Sequence, residues 1–297
     1  MKWTLRTWEE QLVAGLDRLL GFPRERKRFY KAHGYPLNLK EPTSFNEKIC
    51  WKKIYDRDPL VPVIADKYRV RDYVREVLGE AEANSILIPL LAVADKPEDL
   101  DISVLPDQFV VKSNHGSGNN LLVFDKSKFD FQAFIKEANT WLKAPYGIRN
   151  HEWAYSHIDR KIMVEQLLLE QSGSIPSDYK FCMIHGECAF IKVDKSRFNN
   201  FTSTLYDSSW NKLKVDWRRP QDDYSPAPQQ LEKMLEIARA LSKKLDFIRV
   251  DYYVLGDHFY LGELTNYPVR GRGKFNPTEF DFEMGRRWVL PGANGGE

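Results

Sequence analysis

The chain has 297 residues, with 44 Lys and Arg against 42 Asp and Glu, giving a formal net charge of +2 with the two signs interspersed. That length can bury a sizeable core in one large domain or in two or three lobes, and the near-neutral balance argues against a protein whose main task is neutralising nucleic-acid phosphates. Three cysteines (Cys50, Cys182, Cys188) without metal-ligand spacing read as buried thiols of a reducing compartment, and with no bilayer-length apolar run and a charged N-terminus the expected location is cytoplasmic.

Trp3, Trp8, Leu12, Leu16, Leu19 and Leu20 recur at near-helical spacing, which predicts a helix over 3–31. A basic cluster follows: Arg24, Arg26, Lys27, Arg28 and Lys31. A helix packed on the main body with a solvated basic end accounts for both; a peripheral contact with a membrane or an acidic polymer is the alternative. Pro42, Thr43 and Ser44 before Phe45-Asn46-Glu47-Lys48 mark a helix start. Further on, the sequence predicts a helix over 66–79, a strand at Ile86-Leu87-Ile88 stopped by Pro89, and a short helix over 96–105. Strands are expected at 108–112 and 121–124, a helix over 130–143, and a buried strand over 161–169. Strands at 179–184 and 188–193 come next, then an irregular stretch over 207–228 and an amphipathic helix over 229–245. Asn200-Phe201-Thr202 matches a glycosylation sequon, read as chance without a secretory context. Helices alternating with antiparallel-looking strands make an α+β architecture in lobes.

The chemistry concentrates late in the chain. Residues 247–268 read as two strands around a turn at Leu255-Gly256-Asp257-His258, with Asp251 on the first and Glu263 on the second. An odd-numbered connecting loop would set these acids directly opposite on one face, about 5 Å apart at Cβ, where like charges destabilise a hairpin unless a divalent cation sits between them. The glycine loop after Lys112 (Ser113 to Asn120, with Gly116, Ser117 and Gly118) joins two strands, so it is neither a Walker A loop nor a dinucleotide fingerprint. It suits a flap whose backbone N–H groups meet an anion, with His115 an ordinary loop histidine. Glu165, flanked by Ile162, Met163, Val164, Leu167 and Leu168, needs a partner if buried: an adenine amino group, or simply a nearby Lys or Arg. Asp178 and Lys180 share a strand face and suit a ribose hydroxyl and a phosphate, with Lys192, Lys195 and Arg197 extending a cationic lining; a solvated ion-paired edge is the alternative.

In order, these marks resemble the ATP-grasp superfamily and, within it, the TupA-like ATP-grasp family of bacterial polysaccharide clusters. The resemblance runs from about residue 22 to 288 through FNEKICWKK (45–53), ADKYRVRDYV (65–74), LPDQFVVKSNHGSG (105–118), DYKF (178–181), RVDYY (249–253) and GELT (262–265). It implies an N-terminal helical extension (1–60), an N-terminal subdomain (61–105), a glycine-loop lid (106–166) and a C-terminal subdomain with a metal site (167–297), the lobes gripping ATP. By resemblance, Lys67 and Lys112 contact the phosphates under the 116–118 loop; Glu165, Gln166 and Leu167 hold adenine; and Asp178 takes the ribose. Asp251 and Glu263 hold Mg²⁺, with Thr265 or Asn266 completing the shell. Lys180, Arg249 and Arg270 face the reacting groups; the run Arg270-Gly271-Arg272-Gly273-Lys274 is otherwise a simple basic loop.

The reaction so implied is carboxylate–amine ligation through an acyl phosphate. It would join an amino acid or amine to a uronic acid of a capsular or cell-wall glycan precursor, in the cytoplasm or at the inner membrane face. A kinase acting on a glycan hydroxyl and a non-catalytic nucleotide- or glycan-binding subunit are the alternatives. Aromatic residues and arginines of 197–224 and 270–287 suit a sugar acid, or belong to the core.

Overall fold

The computed structural model describes residues 5–195 and 201–291, with only the backbone of Leu5; Trp3, Arg197 and Asn200 lie outside the described residues. Six helices come first: α1 (Leu5–Leu19), α2 (Pro23–His33), α3 (Phe45–Tyr55), α4 (Leu60–Ala65), α5 (Val70–Leu78) and α6 (Glu80–Ile86). Four strands around one helix follow: β1 (Leu90–Ala94), β2 (Phe109–Ser113), β3 (Asn120–Val123), α7 (Phe131–Lys143) and β4 (Ile162–Gln166). The last part holds β5 (Asp178–Ile184), β6 (Glu187–Lys195), β7 (Thr202–Tyr206), β8 (Asp216–Trp217), α8 (Leu231–Ser242), β9 (Phe247–Leu255), β10 (His258–Thr265), β11 (Phe275–Asn276) and α9 (Glu279–Arg287).

Two antiparallel sheets organise the chain, as the α+β expectation requires. The smaller has the order β1-β4-β2-β3 and packs on α7; the larger has the order β10-β9-β5-β6-β7. Strand alternation gives the larger sheet two unlike faces. One face carries Phe181, Ile191, Val193, Val250 and Tyr252 into a core shared with Met234, Ile237 and Leu241 of α8. The other is apolar at one end, where Cys182, Phe190 and Phe247 meet Phe45 of α3 and Trp288, and charged at the opposite end. Burying the apolar end fixes where the charged end points.

α3 begins at the helix start the sequence predicts, where Ser44 caps it in a reciprocal capping box with Glu47. Elsewhere the structure corrects the sequence reading. The helix expected over 3–31 is broken where Gly21 and Phe22 take φ of 75° and 64°, and Pro23 opens α2. Phe22 is buried there against Tyr55 and His151, and that packing sustains its left-handed backbone. The apolar stripe of α1 does not face the body: its buried side is polar, with Thr7, Glu10 and Asp17. Residues 80–86 form helix α6, so the strand expected at 86–88 begins later, at Leu90, and Pro89 leads into it rather than stopping it. The helix expected over 96–105 is only the 3-10 turn Pro97–Asp99.

The cores group the chain differently from the sequence division. α5 and α6 contribute Val70, Tyr73, Val74, Ala83 and Ile86 to the core of the larger sheet, and β1 belongs to the smaller one. α3 is embedded through Phe45 and Ile49 rather than appended. Trp210 and Trp217 of the irregular stretch are core residues. All three cysteines are free and buried. No helix among the described residues is long and apolar enough to cross a membrane.

Candidate active site

The turn between β9 and β10 has two residues, Gly256 and Asp257, because Leu255 pairs with His258. An even turn would oppose Asp251 to Gly262. A bulge between Leu261 and Glu263 shifts the register by one, so Glu263 pairs directly with Asp251 and Thr265 with Arg249. A side chain on Gly262 would put its Cβ 2.8 Å from the Tyr253 ring, so the bulge needs glycine. Arg249 grips Asp251 with two hydrogen bonds of 2.6 Å, and its Nη2 also donates to Glu263 Oε1 at 3.2 Å and Thr265 Oγ1 at 3.0 Å.

This arrangement pushes the two acids apart electrostatically. Burial raises the Asp251 carboxyl above its ordinary range, although Arg249 and Lys180 oppose it. Burial also works on Glu263, but there Lys67 and Arg249 prevail, with the Thr265 hydroxyl, and hold it down at about 2. A magnesium ion fits this donor set of two carboxylates and a hydroxyl, all hard oxygens, at a place where one guanidinium nitrogen already touches both acids. The described residues hold no cluster of three or more His, Cys, Asp or Glu suited to a metal, so a bound ion needs further oxygens from a ligand or water. Thr265 donates to Glu263 at 2.7 Å, whereas Asn266 is buried beneath α4 with its amide nitrogen 3.4 Å from Val61 O.

Across the sheet, Lys180 Nζ lies 3.2, 3.5 and 3.7 Å from carboxylate oxygens of Asp178, Asp194 and Asp251. Lys192 pairs with Asp194 at 2.8 Å and lies over the Trp217 ring, and Lys195 bonds Ser225. Neither extends a cationic lining: both are held away from the cavities by those partners.

The glycine loop hangs between β2 and β3 on a fixed root. Fully buried Asn114 donates to Asp66 Oδ1 at 2.9 Å and to Asp159 O at 2.8 Å, and accepts from the Lys161 backbone at 2.8 Å. The tip turns at Gly116, φ 71°, where a Cβ would lie 2.7 Å from the Tyr146 ring. The Lys67 ammonium donates to Gly116 O, and Ser117 Oγ lies 2.8 Å from Tyr146 Oη. Burial, with Lys112 nearby, lowers the Lys67 pKa in spite of Glu263. His115 is fully buried beneath the loop.

Glu165, 3 % exposed, has the simpler of its two expected partners. Lys112 Nζ lies 2.5 Å from Oε2 and Arg71 Nη1 3.6 Å from Oε1. The residue thus pairs with the cation at the end of the neighbouring strand.

These elements enclose two adjoining cavities. One, of about 350 Å³, has an apolar end with Val110, Leu122, Leu167 and Ile175 and a charged end with Lys67, Lys112, Asp178, Asp251 and Glu263. Gly118, Glu165 and Gln166 also line it. The other, of about 440 Å³, is lined by Tyr146, Glu152, Tyr155, Thr265 and four arginines: Arg218, Arg249, Arg270 and Arg272. The two share Lys67, Gly116, Ser117, Arg249, Gly262 and Glu263. Of the residues singled out in the sequence, Lys180 lies under the charged stripe and Asn266 under α4; neither lines a cavity.

The second cavity depends on partners of Arg270 and Arg272 that the sequence reading passed over: Tyr146, Glu152, Lys53 and Glu25. Arg270, in left-handed backbone with φ 59°, donates to Glu152 at 3.1 Å and Tyr146 at 3.2 Å. Its carbonyl accepts from Lys53 Nζ at 2.9 Å, while fully buried Glu25 holds Lys53 and, at 2.8 Å, Arg272. Gly271 lies so close to α3 that a Cβ would stand 2.7 Å from Asn46 O and Cys50 Sγ. Helices α2 and α3 therefore clamp the arginine loop. The only sequence signal was a set of charges in helices that had to be buried.

An apolar-ended pocket lies under a glycine flap and leads to paired acids, and comparison with known families identifies the chain as an ATP-grasp protein. The profile described as TupA-like ATPgrasp matches residues 47–289, and the chain belongs to that family. Comparison with curated proteins gave no match. Among solved structures it is similar to D-alanine–D-alanine ligase from Helicobacter pylori, with 15 % identity, 77 % of this chain and 62 % of that one covered, and a TM-score of 0.43. A RimK domain ATP-grasp protein from Sphaerobacter thermophilus is 13 % identical, with 79 % and 71 % covered and a TM-score of 0.47. D-alanine–D-alanine ligase from Bacillus anthracis, complexed with ATP, is 15 % identical, with 88 % and 65 % covered and a TM-score of 0.41. The chain thus spans less than two thirds of the length of both D-alanine–D-alanine ligases.

Proposed function

We propose that this protein is an ATP-dependent carboxylate–amine ligase, and that it joins an amine or amino acid to a uronic acid of a bacterial glycan precursor. The observation that carries the reading is the shared wall of the two cavities. A nucleotide with its base among Val110, Leu122 and Leu167 has room to direct its phosphates toward Lys67, Lys112 and the loop. An anionic acceptor among the four arginines of the other cavity then lies across Arg249 and Glu263 from the terminal phosphate.

In this reading Asp178 takes the ribose, and the backbone at Gln166 and Leu167 takes the adenine edge. Asp251 and Glu263, with Thr265, hold Mg²⁺, which when bound neutralises phosphate charge. Arg249 exchanges its grip on the two acids for the acceptor or the phosphoryl oxygens. The acceptor carboxylate oxygen attacks the γ-phosphorus, the bond to the bridging oxygen breaks and ADP leaves. The amine then attacks the acyl carbon, the carbon–oxygen bond to phosphate breaks, and the amide forms with loss of a proton. The glycine flap, hinged on Asn114, keeps water from the acyl phosphate between the two steps.

The test is Mg²⁺-dependent ADP and phosphate release from ATP with uronic acids crossed against amino acids. Release that needs both partners, with a product at the amide mass, supports the ligase. Phosphate retained on the sugar identifies a kinase, and ATP binding without turnover identifies a binding subunit.

A further inference from the structure

Helix α1 sits on the body with its polar side inward. Thr7, Glu10 and Asp17 are buried, whereas Trp8, Leu12, Leu16, Leu19 and Leu20 are 57, 67, 58, 83 and 73 % exposed. Steps of four, four and three residues from Trp8 to Leu19 lay these side chains along one stripe. Directional bonds fix the orientation. Asp17 accepts from His151 Nε2 at 2.8 Å and from the Arg24 backbone at 2.7 Å, and Glu10 pairs with Arg149 at 3.4 Å. Rolling the helix to bury the leucines would leave Asp17 and His151 without partners against an apolar face, so the bonds select the outward stripe.

The charge around the stripe identifies what covers it. Over residues 6–34 Glu9 is the one exposed acid, against exposed Arg6, Arg18, Arg24, Arg26, Lys27 and Lys31. An apolar stripe bearing a tryptophan, on a helix pair whose exposed charges are almost all basic, matches a surface that is apolar in depth and negative at its face. We propose that α1, with the exposed basic residues of α2, docks this protein on a bilayer containing anionic lipid, with Trp8, Leu12, Leu16 and Leu19 entering the headgroup boundary. The docking rests on α1 and α2 alone and stands or falls separately from the ligase reading. The inward side of α1 packs on residues 148–150, where Arg28 donates to Arg149 O, and Glu152 of the same stretch lines the arginine cavity.

Sedimentation of the full chain with vesicles tests this. Vesicles of equal phosphatidylcholine and phosphatidylglycerol should bind it at least about tenfold more tightly than phosphatidylcholine alone, with binding weakened by salt. Leu12→Ser with Leu16→Ser should reduce that binding at least about tenfold, and Arg24→Gln with Lys27→Gln by about tenfold. Circular dichroism and ADP formation without vesicles should match the parent protein in both variants. Failure to bind anionic vesicles, or variants that bind as well as the parent, would overturn the proposal. So would a dimer in sedimentation velocity that Leu12→Ser with Leu16→Ser dissociates, which would assign the face to a second copy of the chain.

Discussion

Asp251 and Glu263 stand directly across from one another at a register that the two-residue turn of their hairpin does not produce. Gly262 supplies the extra residue, and Arg249 occupies the place between the acids. The pair is thus assembled by a bulge, a common device where a side chain must be re-aimed at a site. Asp251→Asn and Glu263→Gln should each lower Mg²⁺-dependent ADP formation at least about a hundredfold. Glu263→Gln should melt close to the parent, because its amide oxygen can still accept from Arg249 and Thr265, whereas Asp251→Asn gives up one of the two Arg249 bonds and should melt lower while staying folded. Parent-like turnover in either variant would remove the pair from the reaction.

Lys112 has a structural task besides the phosphate contact proposed for it. It neutralises Glu165, whose other cation, Arg71, is 3.6 Å away. Lys112→Ala should therefore raise the KM for ATP and also cost about 3 kcal/mol of stability, because a buried carboxylate loses its nearest partner. Lys112→Met combined with Glu165→Gln should recover most of the stability but not the use of ATP. Recovery of both in urea melts and ATP titrations would show that Lys112 only balances Glu165.

Stability should depend on pH through His115. Burial, with Arg160 and Lys67 nearby, pushes its imidazole from 6.5 down to about 3. Between those values the unfolded chain binds a proton that the native state does not, so this contribution is whole above pH 6.5 and is lost as the pH falls through the window. The slope approaches about 1.4 kcal/mol per pH unit. His115→Gln should lose that much dependence, seen as a smaller fall in the urea midpoint between neutral pH and about pH 5. Equal falls in both proteins would contradict the assignment.

The arginine loop should control the acceptor and not the nucleotide. Arg272 lines only the second cavity and is held by Glu25, which keeps Lys53 as partner when the arginine is lost. Arg272→Gln should raise the acceptor KM about tenfold and leave the KM for ATP unchanged. A matched rise in both constants would indicate a general disturbance of the fold.

Much of the site was legible because it lies on elements with strict periodicity. Arg249-Val250-Asp251-Tyr252 announces two opposed faces, and the glycine loop announces a turn between strands. The bulge at Gly262 was not legible, since nothing in the residue types reveals the turn length, and the acids would otherwise have been read out of register. Periodicity likewise identifies the stripe on α1 but not which side meets the body; Asp17 and His151, 134 residues apart, decide that. The clamp on the arginine loop was hidden for the same reason, for Glu25 meets Arg272 across 247 residues. Helix α6 was missed because its seven residues are too few to show a stripe.

The central claim is that a carboxylate held in the arginine cavity takes the γ-phosphoryl group across the shared wall. The measurement that tests it most directly is transfer of heavy oxygen from a carboxylate-labelled uronic acid during turnover with ATP and an amine. One labelled oxygen should appear in the released phosphate for each amide formed. Unlabelled phosphate, or phosphate retained on a sugar hydroxyl, would contradict the account.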